Sequence, residues 1–189
     1  QPDQTIKTLV VDGDPNTVEH QSETFYLERA LNPFTSSLSN IELTLSTPAE
    51  LSKRNLFDYS VIILCNVHNL PFGYEQELEK FVLRGGALFV TLGNQVDAKF
   101  YNEKLGNILP VFLKSVYQIA KTDEPFRFLI KPSKHPVLKV FKERTLEEMK
   151  SIEFQSIYSV EARENSKFTI PIVFSNKLPA LIESTTGKG

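Results

Sequence analysis

The chain has 189 residues, 41% of them hydrophobic and 23% charged, with a formal net charge of −2. That length suits one domain, or one domain with an appendage, and folding at this size buries about 70% of the unfolded chain's surface, so no disulfide or metal staple is required. The near-neutral charge argues against a dedicated nucleic-acid binder, the lone Cys65 excludes an internal disulfide, and no apolar run is long enough to span a bilayer.

In chain order, Ile6–Val11 is a short β-rich run that the turn Asp12-Gly13-Asp14-Pro15 closes. Asn16, with Glu19 three residues on, has the spacing of a helix cap with its capping box. A helix through Leu31 is expected to follow, with Leu27, Ala30 and Leu31 inward, ended by Asn32-Pro33. Ile41, Leu43 and Leu45 alternate with Glu42 and Thr44 as a half-exposed strand does. The run from Asp58 to Asn66, built on Val61-Ile62-Ile63-Leu64, has the unbroken apolar character of a central parallel strand covered on both faces.

Tyr74, Leu78, Phe81 and Val82 then form an apolar helical stripe that ends at Gly85, a left-handed cap, and Ala87–Thr91 is the fourth strand. Strand–helix alternation through the first 112 residues predicts a parallel α/β sheet with helices on both faces. Beyond that point the rhythm changes. Strands are expected over Val116–Ala120, Phe126–Ile130, Ile152–Val160, Phe168–Phe174 and Ala180–Ile182, with a short helix over Val137–Phe141. The expectation is one domain over 1–189, in which 113–189 is a β-rich extension. The opening Gln1-Pro2-Asp3 and the closing turn Thr185-Thr186-Gly187-Lys188-Gly189 suggest a segment cut from a longer chain, truncated at its C-terminal end.

Charge is spread unevenly. Asp3, Asp12, Asp14, Glu19, Glu23 and Glu28 make the opening acidic, while Lys131, Lys134, Lys139, Lys142 and Arg144 make a later stretch basic; solvated faces account for both.

Ligands of open α/β sheets bind at the carboxyl ends of the strands, which points to Asp12, Asp14, Asn66, His68 and Asn94 as candidate ligand-binding residues. Asp12-Gly13-Asp14 after an apolar strand has the look of a phosphoryl-transfer site, in which one carboxylate attacks and both hold magnesium. Asn16 stands where the haloacid-dehalogenase pattern requires Thr or Val, and Cys65-Asn66 stands where a receiver domain requires an aspartate. Turn and cap chemistry is therefore the favoured reading of the two aspartates. Cys65 ends a buried apolar run and reads as a small core residue, not a thiol nucleophile. His20, His68 and His135 lack the spacing of a zinc site, and there is no Gly-x-Ser-x-Gly elbow and no phosphate-binding loop. No metal and no cofactor is expected.

The first hundred residues resemble the flavodoxin-like fold of the class I glutamine amidotransferase-like superfamily. That family carries a nucleophilic Cys just after the strand matching Ala87–Thr91; here Leu92-Gly93-Asn94 supplies no thiol, and Cys65 belongs to the preceding strand. Several strings taken together, Val10–Pro15, Glu23–Leu31, Gly85-Gly86, His135–Leu138, Pro179–Glu183 and Gly187-Lys188-Gly189, are similar to bacterial membrane-anchored proteins of the aerotolerance type, which also carry a von Willebrand A-like domain. In that group the Gly-Lys-Gly turn leads into a further strand.

The resemblance implies an extracytoplasmic domain of the cell envelope of unknown role, without established catalytic residues; the partners expected are other envelope proteins or neighbouring domains, with no nucleic acid on grounds of charge and no membrane contact by this segment itself. A non-catalytic binding or assembly module is the resulting expectation. The alternatives are a metal-assisted hydrolase or phosphoryl-transfer enzyme using Asp12 and Asp14, and a small-ligand sensor.

Overall fold

The computed structural model describes residues 5–16, 22, 24–31, 40–120, 122–130 and 135–189. The chain divides into two units: residues 1–108 with 186–189, and residues 109–185.

In the first unit four strands, β1 (Ile6–Asp12), β2 (Ile41–Ser46), β3 (Val61–Cys65) and β4 (Ala87–Thr91), form a parallel sheet in the order β2-β1-β3-β4. The order reverses between β1 and β3, so the topological switch point, where open α/β sheets place their crevice, lies at the ends of these two strands. Val10 pairs with Ile63 and Ile63 with Phe89, so alternate residues of the strands line one face together. On that face Val10, Ile63 and Cys65 are buried under Leu27 and Leu31 of α1 (Phe25–Leu31). The opposite face presents Val11, Ile62 and Leu64, which meet Leu78 and Tyr74 of α2 (Tyr74–Leu83) and Leu51 and Leu56 from the β2–β3 connection. Five consecutive buried residues in β1 and four in β3 are what double coverage requires, and β-branched Val and Ile suit the pleat.

Gly85 closes α2 at φ 111°, the left-handed conformation that a residue with a Cβ resists. Thr186 and Gly189 exchange both backbone hydrogen bonds, and Lys188 N–H donates to the Leu83 carbonyl, so this turn caps the same helix end. A third helix, α3 (Ala98–Lys104), is capped by Asp97, whose carboxylate accepts from Lys99 N–H at 2.9 Å.

The second unit is antiparallel. β5 (Val111–Gln118) pairs with β8 (Ser156–Ala162), and a separate sheet runs β10 (Pro179–Ser184), β9 (Phe168–Phe174), β6 (Phe126–Leu129), β7 (Glu153–Phe154). Two short helices, α4 (Pro136–Lys139) and α5 (Glu143–Lys150), accompany them. Ile130, Leu138 and Ile172 form a core cluster with Leu146, Met149 and Leu181 around it, and the rings of Phe128, Phe154 and Phe174 lie within 5.8 Å of one another.

Several expectations need correction. The strand expected from Asp58 begins at Val61, because Asn55 caps a 3-10 turn over Leu56–Asp58 through Phe57 N–H. Ala30 is exposed; Leu27 and Leu31, four apart, make the half-buried stripe. Leu45 is exposed and Ser46 buried, so the alternation of β2 slips at its end. The segment Ile152–Val160 is two strands, β7 and β8, and β5 starts at Val111 instead of Val116. The helices α3 and α5 were not anticipated. The described part of α1 begins at Phe25, with Asn16 outside the helix, and Glu19 of the expected capping box lies outside the described residues.

Candidate functional site at the carboxyl edge of the sheet

Three loops leave the carboxyl ends of β1, β3 and β4, and Asn66 sits where they meet. It follows β3 in a left-handed conformation (φ 51°), one that Asn tolerates better than other residues with a Cβ, and it is 1% exposed. Its backbone N–H donates to the Thr91 carbonyl at 3.1 Å. Its side-chain amide donates to Asn94 Oδ1 at 2.9 Å and accepts from Gln95 N–H at 2.8 Å.

Two glycines let the loops close on this amide. A Cβ at Gly93 would stand 2.4 Å from the Asn66 side chain, and a Cβ at Gly13 would stand 2.1 Å from the Asn66 carbonyl oxygen. Gly13 N–H in turn donates to the Cys65 carbonyl at 2.8 Å. Side chains at either position would hold the loops apart, so glycine here serves close approach.

Asp12 is also engaged. At 8% exposure, its Oδ1 accepts from Asp14 N–H at 3.0 Å, and its Oδ2 accepts from the hydroxyls of Ser22 (2.6 Å) and Thr24 (3.1 Å). The Thr24 hydroxyl also lies 2.7 Å from Glu28 Oε1 of α1, and Glu28 N–H donates to the Thr24 carbonyl. The carboxylate therefore ties the end of β1 to the start of the described helix. Asp14 is exposed and accepts from the Gln95 amide at 3.4 Å. His68 is exposed, with Nδ1 2.7 Å from the Gln95 carbonyl. Val67, between Asn66 and His68, is held from below by Tyr101 of α3, whose buried hydroxyl donates to the Val67 carbonyl at 2.8 Å.

Of the five residues singled out from sequence, Asn66 and Asn94 are bonded directly. Asp14 and His68 are joined to them through Gln95, and Asp12 turns away toward Ser22 and Thr24. Sequence reading missed Gln95, which contacts three of the five through its N–H, its carbonyl and its side-chain amide. Its only signal was its place in the polar pair after Gly93. Cys65 is 3% exposed beside Val10 and Ile63, on the face that α1 covers. Among the described residues no three His, Cys, Asp or Glu side chains gather as a metal site. A surface depression lined by Arg54, Phe72, Tyr74 and Glu77 is formed by other residues than these.

No protein-family model matches this sequence, and no curated protein matches it either. Solved structures do. A ThuA-like protein from Parabacteroides merdae superposes with a TM-score of 0.58 at 12% identity, over 98% of this chain and 77% of that one. Another from Bacteroides uniformis gives 0.57 at 13%, over 98% and 78%. A β-galactosidase from Bacillus circulans sp. alkalophilus gives 0.60 at 12%, over 98% of this chain and 28% of that one, so the chain spans little more than a quarter of that enzyme's length. The likeness is one of fold. It shows that this chain shares the mixed α/β architecture of those structures, and at such identities it transfers no residue role.

Proposed function

We propose that the chain is a non-catalytic binding and assembly domain on a flavodoxin-like, class I glutamine amidotransferase-like scaffold. One observation carries this reading: at the bend after β4, where the resembled family keeps its nucleophile, Gly93 presents no side chain and the space is filled by the Asn66 amide. A reacting group needs room for substrate and a neighbouring proton acceptor. Here the polar groups of the crevice are bonded to one another. The β1 carboxylate favours the same reading, since Asp14 N–H and the Ser22 hydroxyl already donate to one oxygen each of Asp12 and the Thr24 hydroxyl lies against it.

The setting in the reading is the cell envelope: an extracytoplasmic domain of a membrane-anchored bacterial protein of the aerotolerance type, next to a von Willebrand A-like domain, binding envelope proteins or its own neighbouring domains. Its support is the set of sequence strings from Val10 to Gly189. Among the described residues no helix is long and apolar enough to cross a membrane.

The test combines turnover and titration. Assays with amide, ester, glycoside and phosphomonoester substrates are expected to show no turnover above buffer, and calorimetric titration with magnesium or calcium no binding heat. Asp12→Ala is expected to lower stability by about 2 kcal/mol through its lost hydrogen bonds, equally with and without chelator. Turnover abolished in Asp12→Asn, or a divalent cation bound through Asp12 and Asp14, would favour the metal-assisted enzyme and end the proposal.

A further inference from the structure

The depression beside α2 holds a cation that nothing among the described residues neutralises. Arg54 follows the 3-10 turn over Pro48–Lys53, and its backbone carbonyl accepts from the Tyr74 hydroxyl at 3.2 Å. That bond joins the β2–β3 connection to the start of α2, and a depression of about 540 Å³ opens between them. Cavities of about 300–1,000 Å³ suit small molecules.

The Arg54 side chain is partly buried. Its Nε lies beneath the surface with no acceptor, while the two Nη groups are not so covered. Among the described residues no carboxylate forms an ion pair with it. One edge of the guanidinium has thus lost water without gaining a hydrogen bond, a cost that an anion on the Nη groups would offset. Glu77, which also lines the depression, is taken by Lys80 at 2.8 Å. The sum over Arg54, Glu77 and Lys80 is one positive charge, which matches a carboxylate and falls short of a phosphate dianion. The guanidinium fork fits a carboxylate through two parallel hydrogen bonds.

The same depression offers apolar area. Phe72 lines it and is 99% exposed, and Leu56 and Tyr74 line it as well. One exposed ring alone would need no explanation. This one borders an unneutralised guanidinium, and the pair specifies a ligand with one charge and one flat apolar face.

We propose that this depression binds a small organic carboxylate with a flat apolar body, the carboxylate on the Arg54 guanidinium and the apolar face on Phe72. None of its lining residues belongs to the crevice around Asn66. The proposal therefore goes beyond the non-catalytic reading and stands whether or not the carboxyl edge turns anything over.

Titration of the intact chain with naphthoate to about 10 mM, followed by two-dimensional amide NMR, tests it. Saturable shifts are expected at 54–56 and 72–77, with a Kd on the order of 1 mM for so small a ligand. Naphthamide, which lacks the charge, and acetate, which lacks the rings, should each bind at least about tenfold more weakly. Arg54→Gln should weaken naphthoate about tenfold, and Phe72→Ala about threefold while melting as the parent does, since that ring covers nothing. No saturable shift by about 10 mM, or shifts centred on other residues, overturns the proposal. So does naphthamide binding as tightly as naphthoate, or a Phe72→Ala chain that binds naphthoate as the parent does.

Discussion

Replacing Gly13 by alanine is expected to be among the most damaging single-methyl changes in the first unit. The added carbon would stand 2.1 Å from the Asn66 carbonyl oxygen and 2.5 Å from the Cα of Val67. Both are backbone atoms of a segment fixed by the Asn66 N–H bond to the Thr91 carbonyl and by the Tyr101 hydroxyl on the Val67 carbonyl, so neither can swing aside as a side-chain tip would. Overpacking usually costs about 1–3 kcal/mol, and a backbone neighbour puts this case at or above the upper end. Urea unfolding of Gly13→Ala should show a loss of about 3 kcal/mol, on the order of a 10 °C fall in melting temperature. A loss below about 1 kcal/mol would mean that the β1 and β3 loops are not pressed together as described.

Asn66→Ala acts on the same junction from the other side. It removes the amide that donates to Asn94 and accepts from Gln95 N–H, and leaves a hole between Gly13 and Gly93. It also puts alanine at φ 51°, which costs a residue with a Cβ about 1–2 kcal/mol, part of it already carried by Asn. Two hydrogen bonds at about 1 kcal/mol each, with a donor left without its acceptor, bring the expected loss to about 3 kcal/mol. Asn94→Ala removes only the acceptor of that donation and leaves Gln95 N–H on the Asn66 amide, so it should cost about 1 kcal/mol. If the order of these two variants is reversed in chemical denaturation, the bonding assigned to the amide is wrong.

The sequence made much of the fold legible where one physical signal dominated. Val61-Ile62-Ile63-Leu64 is apolar enough to require two covered faces, and both are covered. The stripe of α2 and its left-handed Gly85 were readable because periodicity and glycine conformation agree there. Legibility failed where tertiary contacts decide. The helix α3 has Ala98, Phe100 and Tyr101 but no clean stripe, and it is positioned by the Asp97 cap and by the Tyr101 hydroxyl reaching the Val67 carbonyl 34 residues away in sequence. Helix α5 is short and highly charged, with no buried residue, so it offers almost no hydrophobic pattern to read.

The candidate site divided in the same way. Position was legible: residues after parallel strands fall at one edge, and Asp14, Asn66, His68 and Asn94 do meet there, directly or through Gln95. Bonding was not. Nothing local announces that Asp12 takes the hydroxyls of Ser22 and Thr24, ten and twelve residues on, or that Gly13 and Gly93 are both glycine on account of Asn66. Read as turn residues they look ordinary, and only the assembled loops show them to be the two walls around one amide.

Hydrogen exchange at the Gln95 backbone amide tests the closed edge most directly, because that group sits on an exposed residue and its acceptor is the Asn66 side chain. If the loops form one bonded unit, this amide should exchange nearly as slowly as those of β1 and β3 and speed up by at least about tenfold in Asn66→Ala. Exchange at the rate of an open loop in the parent protein would show a crevice free to take a ligand, and would contradict the account.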